Sequence, residues 1–459
     1  MARGRSLLIL VVIALGLGAY LYFVEMKRDT SAPEEKKTRA FTVESGKIVE
    51  VEVHNSTGNV TTIRKANDAW SVVAPVASAA DMQAVGSLVG TLETLDIQKV
   101  IDENPSSVAP YGLEPPRYSL TFKIDGDPAP HKLNIGAKTP TGADMYARIE
   151  GQPKLFTITA FTDDMLNKSP FDLRDKTVMK FEREGLDAIT VEAAGAPTVT
   201  LAKKGDDWRI TAPIDARADV NPVEMLINRA AQVQAKSVES GEAPNAPPPT
   251  PADLKKFGLD KPQLVATFGA GSTRATLALG GKKDDATIYA RDMSRPVIFS
   301  VEKSLLDDLK KKADDLRLKD VFAFRSFTVS GLDITYAGTT YTLGKAKPAG
   351  TDNASATEVW KLLKPAEKDV NQTGATDLLN TLSSLRAETF ADKALASGED
   401  LVVVARYGDA KTPTEERVTL RKSGTTVHAI RAGESSAAVL PVADFDKAVS
   451  QLKELTGTK

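Results

Sequence analysis

The chain has 459 residues, a formal net charge of −2 and 42% apolar residues. This charge balance argues against a nucleic-acid-binding protein, which would present a basic face, and the apolar content suffices for ordinary buried cores. The absence of cysteine excludes disulfides, thiolate metal sites and a cysteine nucleophile. Because domains commonly have about 150 residues, the length allows three of them.

An uncharged apolar segment, Leu7 to Val24, lies near the start of the sequence. It is just long enough to cross a bilayer, and no small-residue cleavage site follows it, which predicts an uncleaved anchor. Basic residues are nearly balanced across it, so charge does not decide its orientation. The short N-terminal tail favours a cytoplasmic N-terminus. We therefore assign residues 1–28 to the tail and transmembrane anchor and residues 29–42 to a polar linker.

A tryptophan followed five residues later by a proline occurs three times, at Trp70/Pro75, Trp208/Pro213 and Trp360/Pro365. After each pair, apolar residues recur at spacings of three and four, which predicts a helix of about four turns. Asp81 and Asn371 are the expected N-caps in the first and third copies. Asn221 and Pro222 are the expected N-cap and first helical residue in the second copy.

Strand-like segments surround each helix. Val49, Val51 and Val53 alternate with polar residues ahead of a turn-like stretch at 55–59, which predicts a hairpin. Downstream, the first two copies share two further motifs, Tyr111-Gly112-Leu113 with Phe257-Gly258-Leu259 and Tyr146-Ala147-Arg148 with Tyr289-Ala290-Arg291. Short alternating runs punctuated by Gly and Pro lie between them and predict antiparallel strands. The third copy lacks the Tyr-Gly-Leu motif and has diverged most.

These patterns predict an α+β fold class, in which an N-terminal transmembrane helix is followed by three tandem repeats. Each repeat is expected to be a mainly antiparallel sheet with one or two packed helices. The predicted repeat domains are 43–183, 184–325 and the diverged 326–459.

Repetition helps to separate structural residues from functional ones, because a residue present in tandem copies is most simply a requirement of the shared fold. We therefore interpret the repeated residues as structural. The alternative is that Arg148 and Arg291 project from strands into equivalent ligand sites. The repeated residues are Trp70, Pro75, Asp81, Tyr111, Gly112, Tyr146, Arg148, Trp208, Pro213, Asp219, Phe257, Gly258, Tyr289, Arg291, Trp360 and Pro365.

Candidate catalytic residues are few. His54, His131 and His428 fall at non-equivalent points of different predicted strands, without the spacing of metal ligands. Residues 300–303 fit the Ser-x-x-Lys pattern of penicillin-interacting enzymes, but the companion motifs of that family are missing. We expect no catalytic, cofactor-binding or metal site and no enzyme activity.

The order of motifs resembles the bacterial domain-of-unknown-function family 4340. The first pass of that order runs from Trp70 and Pro75 through Ala80-Asp81 to Leu173-Arg174, and the second runs from Trp208 and Pro213 through Ala218-Asp219 to Leu316-Arg317. The resemblance covers residues from about 43 to 325 well and the third copy partly.

The resemblance implies an inner-membrane protein whose main body is periplasmic. Members of the family are often encoded beside a permease, an ATPase and a component similar to the gliding-motility auxiliary protein of ABC-type exporters. The implied role is an accessory or scaffold subunit of such an export or cell-envelope machine, acting through contacts with the permease, its ATPase or other envelope proteins. The alternative is a module that binds an envelope polymer, peptidoglycan or polysaccharide.

Overall fold

The computed structural model describes residues 38–242, 246–347, 358–409, 412–434 and 436–458. In these ranges, 27 strands form three sheets of nine strands each. Strand accounts for 43% of the described residues and helix for 22%. The predicted α+β fold class led by a transmembrane helix is therefore wrong, because antiparallel sheet dominates the structure. The sequence patterns indicated the clear helices but not many of the short strands, because those strands lack an alternating pattern.

The strands of the first sheet are β1 (Ile48–His54), β2 (Val60–Ala66), β3 (Ala69–Ala74), β4 (Ser78–Ala79), β5 (Lys99–Asp102), β6 (Tyr118–Ile124), β7 (Asp127–Lys138), β8 (Asp144–Ile149) and β9 (Leu155–Thr159). Those of the second are β10 (Ala188–Ala193), β11 (Val199–Lys204), β12 (Asp207–Ala212), β13 (Ala216–Arg217), β14 (Ser237–Ser240), β15 (Leu264–Ala270), β16 (Thr273–Lys282), β17 (Thr287–Asp292) and β18 (Ile298–Glu302). Those of the third are β19 (Val329–Tyr336), β20 (Thr339–Ala346), β21 (Val359–Lys364), β22 (Lys368–Asp369), β23 (Thr389–Ala391), β24 (Glu399–Tyr407), β25 (Thr414–Ser423), β26 (Thr426–Arg431) and β27 (Ala437–Leu440).

The helices of the described ranges are α1 (Met82–Thr94), α2 (Asp163–Leu166), α3 (Pro170–Leu173), α4 (Val220–Ala231), α5 (Pro251–Lys256), α6 (Ser304–Leu309), α7 (Ala313–Leu316), α8 (Gln372–Ser383) and α9 (Val442–Thr456). Short 3-10 turns cover Ser45–Lys47, Ala109–Tyr111, Ala160–Thr162 and Ser326–Thr328.

All three sheets have the same strand order, which in the first is β4-β3-β2-β1-β6-β7-β8-β9-β5. The strand that follows the long helix returns to the far edge of its sheet, where β5 pairs antiparallel with β9. The repeated unit is thus a sheet whose two edge strands flank the helix in sequence and lie at opposite ends in space.

The long helix of each repeat supplies one side of the core. In α1, Val85, Leu88 and Leu92 have no solvent exposure and belong to one apolar cluster with sheet residues such as Val51 and Phe122. These positions recur at the spacing of one helical face. The helix prediction is therefore confirmed at these residues.

The helix starts are set by side-chain caps. The Asp81 carboxylate accepts the backbone N–H groups of Gln83 and Ala84, both at 3.0 Å, and Asn371 caps α8 through Gly374. In the second repeat the cap is Asp219, whereas the sequence predicted Asn221. The helix begins at Val220 because Asp219 lies where Asp81 does in the first repeat and can accept the Asn221 N–H.

The chain divides into two compact units after Asp175. The first unit holds the first sheet, and the second holds the other two. Each of the predicted repeat domains, 43–183, 184–325 and 326–459, contains one sheet. In the second unit, the third repeat ends in the long helix α9, which packs against α8.

None of the helices in the described ranges is long and apolar enough to span a membrane. The predicted anchor at 1–28, and the predicted linker up to residue 37, lie outside the described residues. The end of that linker packs on the first unit, where the rings of Phe41 and Phe122 have centroids 4.9 Å apart.

Candidate functional site

The Tyr-Gly-Leu motif of the first repeat packs directly against strand β7. Gly112 has a φ of +67°, the left-handed region that favours glycine. A Cβ at Gly136 would lie 2.2 Å from the Tyr111 carbonyl oxygen, so the strand and the motif approach more closely than side chains permit. The Tyr111 and Tyr146 rings pack edge to face with centroids 4.8 Å apart. Several repeated residues of this copy thus contact one another.

The second repeat builds the same contact. Gly258 has a φ of +65°, and a Cβ at Gly280 would lie 2.5 Å from the Phe257 carbonyl oxygen. The Phe257 and Tyr289 rings again have centroids 4.8 Å apart. The two copies therefore use equivalent residues for equivalent backbone packing.

The repeated arginines hold hairpin turns. Arg148 donates its Nε–H to the Gln152 carbonyl at 2.9 Å, and Arg291 donates to the Arg295 carbonyl at 3.1 Å. Each contact joins a strand end to the turn that follows it. These contacts support the structural interpretation of both arginines, which stays a prediction until substitution tests it.

The repeated tryptophans lie near the start of β3, β12 and β21, the third strand of each repeat, and do not end the second strand as the sequence predicted. Trp208 and Trp360 are 5% and 8% exposed, and Trp70 is half-buried against the first core. The peptide bonds preceding Pro75, Pro213 and Pro365 are all cis. Because two of the indole rings are buried, they cannot form an exposed platform for stacking on sugars.

Each of the three histidines contacts a different residue. His54 pairs with Glu52, His131 pairs with Asp127, and the His428 Nδ1 accepts the Leu395 N–H at 3.1 Å. Burial lowers the pKa of His428. Among the residues that the structure describes, no group of three or more His, Cys, Asp or Glu could hold a metal ion.

Ser300 lies in a polar cluster that sequence reasoning did not predict. Its hydroxyl is 2.5 Å from the Ser237 hydroxyl, and the Lys283 ammonium lies 2.8 Å from Ser237 and 2.6 Å from Glu239. Burial opposes ionisation of Glu239, but its hydrogen bonds outweigh burial and hold its pKa below the usual value. Lys283 thus bridges Ser237 and the Glu239 carboxylate, whereas Lys303 of the Ser-x-x-Lys pattern takes no part in these contacts. These contacts hold the edge strand β14 against its neighbour. Ser300 and Lys303, the two residues of the Ser-x-x-Lys pattern, therefore do not form a catalytic dyad.

A second polar cluster holds the segment that enters the third repeat. Arg431 pairs with the buried Glu416 and donates to the Val321 carbonyl at 2.5 Å, while Arg217 donates to the Asp320 carbonyl at 2.8 Å. The enclosed cavity is about 20 Å³, room for about one water molecule. This cluster is a packed junction within the second unit and leaves no room for a ligand.

The second unit also contains a cleft of about 510 Å³, within the size range of small-molecule sites. Its walls come from the turn between β10 and β11, the loop after β12, and the loop joining α6 to α7. Val191 and Val199 form a buried floor, and Lys310, Lys311 and Lys312 lie on one side. The sequence did not reveal this cleft, because three adjacent lysines are typical of a solvated surface.

Large exposed apolar side chains also mark the surface. Phe161 and Phe327 are 77% and 80% exposed, and Val100 and Ile101 on edge strand β5 are 38% and 37% exposed. Among the described residues, β5 pairs with β9 on one side and with no strand on the other. Its outer edge is therefore unpaired within the part of the chain that the structure describes, and two of its apolar side chains are partly exposed.

The chain matches a known family model over most of its length. The model described as Domain of unknown function (DUF4340) matches residues 70–209 and 208–401. Each matched segment begins at the tryptophan of a repeat, and so starts within β3 or β12 and not at the first strand of a sheet. No curated protein matches the chain. From the family match, the chain belongs to the DUF4340 family.

Proposed function

We propose that this protein is an accessory or scaffold subunit of an ABC-type export or cell-envelope machine and acts through protein–protein contacts. The observation that supports this role is the edge of the first sheet at β5, where Val100 and Ile101 are exposed and no strand of the described residues pairs on the outer side. Exposed strand edges are templates for strand addition by another chain.

Comparison of the three repeats shows that the apolar residue Ile101 at this edge is not a requirement of the fold. The equivalent edge strand of the second repeat, β14, has the sequence Ser-Val-Glu-Ser, and its Ser237 and Glu239 take part in the polar cluster with Lys283. The third repeat has Thr-Phe-Ala at β23. Strand register gives Val100 the apolar equivalents Val238 and Phe390, whereas Ile101 corresponds to Glu239. Because the shared topology tolerates a carboxylate at the position of Ile101, the exposed Ile101 needs another explanation, and partner contact supplies one.

The two most exposed aromatic residues follow the same pattern. Strand register places Ser304 and Ala443 in the positions equivalent to Phe161, and Gly46 and Glu184 in those equivalent to Phe327. A single exposed apolar residue is ordinary on a protein surface. Residues that are both exposed and unique to one repeat are nevertheless the best candidates for contacts outside the fold.

We further propose attachment to the bacterial inner membrane through Leu7 to Val24, with the N-terminus cytoplasmic and the body periplasmic. This part of the proposal rests on the uncharged apolar sequence of the segment. A permease and its ATPase are the proposed partners, as the resemblance to the DUF4340 family implies.

Site-specific photo-crosslinking in native membranes tests the proposal. A photoreactive residue at Val100 should capture a permease or another identified subunit of one export machine, and the same residue at the exposed Asp125 should not. The substitution Val100→Lys should abolish capture by placing a charge on the edge while leaving the Tm unchanged, because Val100 is already exposed.

Equal capture from positions 100 and 125, or undiminished capture by Val100→Lys, would count against the β5 edge as the contact. Recovery of peptidoglycan or polysaccharide in place of a protein subunit would favour the polymer-binding alternative. The burial of Trp208 and Trp360 weighs against that alternative, because sugar recognition commonly uses exposed aromatic rings.

A further inference from the structure

The cleft of the second repeat lies where the first repeat has side chains that fill the same space. Strand register makes Ala193 and Ala194 equivalent to Asn55 and Ser56, because the pair Val191 and Val199 corresponds to Val53 and Thr61. The shared Leu-Arg motif makes Lys310 equivalent to Asn167. The two repeats can therefore be compared residue by residue at this place.

In the first repeat a polar contact joins the hairpin turn to the loop between α2 and α3. Asn167 accepts the Ser56 N–H at 2.9 Å and donates its side-chain amide to the Ser56 hydroxyl at 2.8 Å. Asn55 is 7% exposed and accepts N–H groups of Thr57 and Asn59 within the turn. These side chains bring the turn and the loop together.

In the second repeat the same turn carries small apolar residues. Ala193, Gly195, Ala196 and Pro197 line the cleft, so that no side chain of the turn reaches across to the lysine loop. The cis-Pro213 and Ile214 complete the apolar wall. The second repeat thus has Ala193, Ala194 and Lys310 where the first repeat has two asparagines and a serine, and this difference leaves an apolar space with a basic rim.

The charge of the rim is not neutralised within the cleft. Asp314 and Asp392 also line it, but Asp314 pairs with Arg317 at 3.5 Å, and the charge of Asp392 acts on the same guanidinium. No ion pair joins Lys310, Lys311 or Lys312 to any carboxylate in the described ranges. Lys310, Lys311 and Lys312 are adjacent on the loop that lines the cleft, so they add positive potential at its rim, which attracts an anion.

We propose that this cleft binds a small amphipathic anion, with an alkyl or acyl group against Val191, Val199 and Pro213 and a carboxylate or phosphate at the lysine loop. The apolar walls favour burial of the chain, and the three ammonium groups select the negative head. This binding site is independent of the protein contacts proposed for the β5 edge.

Photoaffinity labelling of the full-length protein in zwitterionic nanodiscs tests the site. The probes are decanoate and decyl phosphate carrying a diazirine on the alkyl chain, together with the matching decanol as a neutral control. Mass spectrometry should locate labels within residues 191–199 and 213–214 for one or both anions, at least about 10-fold above the labelling by the alcohol. The anion that labels the cleft more strongly identifies the preferred head group.

Three variants make the test specific. Replacing Lys310, Lys311 and Lys312 together by Gln should reduce anion labelling about 10-fold. The matched control, in which Lys255, Lys256 and Lys261 are replaced by Gln, removes the same charge elsewhere in the unit and should label like the wild type. The graft Ala193→Asn, Ala194→Ser and Lys310→Asn installs the residues of the first repeat and should abolish labelling.

The proposal is overturned if decanol labels the cleft as strongly as the anions do, if the triple Gln variant labels undiminished, or if the turn at 55–59 is labelled equally. Thermal unfolding of each variant shows whether it is folded. Retained anion labelling in a folded graft variant would also overturn the proposal, because the closed cleft would have no room for the chain.

Discussion

A single added methyl group should have opposite effects at two glycines of the first unit. At Gly136, a Cβ would lie 2.2 Å from the Tyr111 carbonyl oxygen, whereas a close carbon–oxygen contact needs about 3.3 Å. The backbones must therefore separate by about 1 Å. At Gly86, on the exposed side of α1, a Cβ meets no atom within 4 Å.

The size of each effect follows from these surroundings. Overpacking costs about 1–3 kcal/mol, and loosening the Tyr111–Tyr146 ring contact costs about 0.5–1.5 kcal/mol. We expect Gly136→Ala to lower the free energy of unfolding by about 2–4 kcal/mol, which corresponds to a fall in Tm of roughly 6–12 °C. Gly86→Ala should raise the free energy of unfolding by about 0.5–1 kcal/mol, because alanine restricts the unfolded chain and favours helix.

Differential scanning calorimetry measures both variants, and hydrogen exchange locates the change. Gly136→Ala should increase exchange in β7 and in the segment around Tyr111. A neutral Gly136→Ala beside a stabilising Gly86→Ala would refute the argument that close backbone approach requires glycine in the repeated motif.

Three further changes test other contacts. Asp81→Ala removes the α1 cap and should cost about 1 kcal/mol in chemical denaturation, whereas an unchanged midpoint would mean that solvent caps the helix equally well. Arg148→Gln should lower the free energy of unfolding by about 1 kcal/mol without affecting partner capture. Lost capture by a variant as stable as the wild type would instead show that Arg148 has a functional role. Burial lowers the pKa of His428 in the folded protein, so the unfolded chain binds the proton more tightly. The stability that the neutral imidazole contributes is therefore fully present above about pH 6.5, the pKa in the unfolded chain, and is lost as the pH falls toward the lower pKa of the folded state. His428→Asn, which keeps an acceptor for the Leu395 N–H, should flatten the fall in Tm between pH 7 and pH 5, and an unchanged slope would assign it to other groups.

Local sequence patterns located the helix after each Trp–Pro pair and the family, but neither the C-terminal helix α9 nor the full sheets. Spacings of three and four residues identify the buried face of α1, because a helix brings such residues onto one side. The resemblance to domain-of-unknown-function family 4340 is confirmed by the family match. Edge strand β5 escaped prediction because its four residues are all exposed and carry no alternation.

The cleft and the Ser237–Ser300 cluster were not predicted from the sequence, for a similar reason. Lys310 to Lys312 are three adjacent charges in sequence, which is typical of a solvated surface. Their position beside Val191 and Val199 depends on a hairpin more than 100 residues earlier in the chain. Likewise, Ser300 meets Lys283 through Ser237, and the nearby Lys303 of the sequence pattern does not take part.

The sequence alone determined the features that depend on near neighbours along the chain. These are the three Trp-Pro copies, the helical faces such as Leu88 and Leu92, and family membership. The tertiary structure decided which distant segments meet, namely the nine-strand order of each sheet, the open edge of β5, and a cleft that is filled in the first repeat and open in the second. The physical reason is that strand pairing and cavity shape arise from contacts between residues far apart in sequence, and local periodicity carries no record of such contacts.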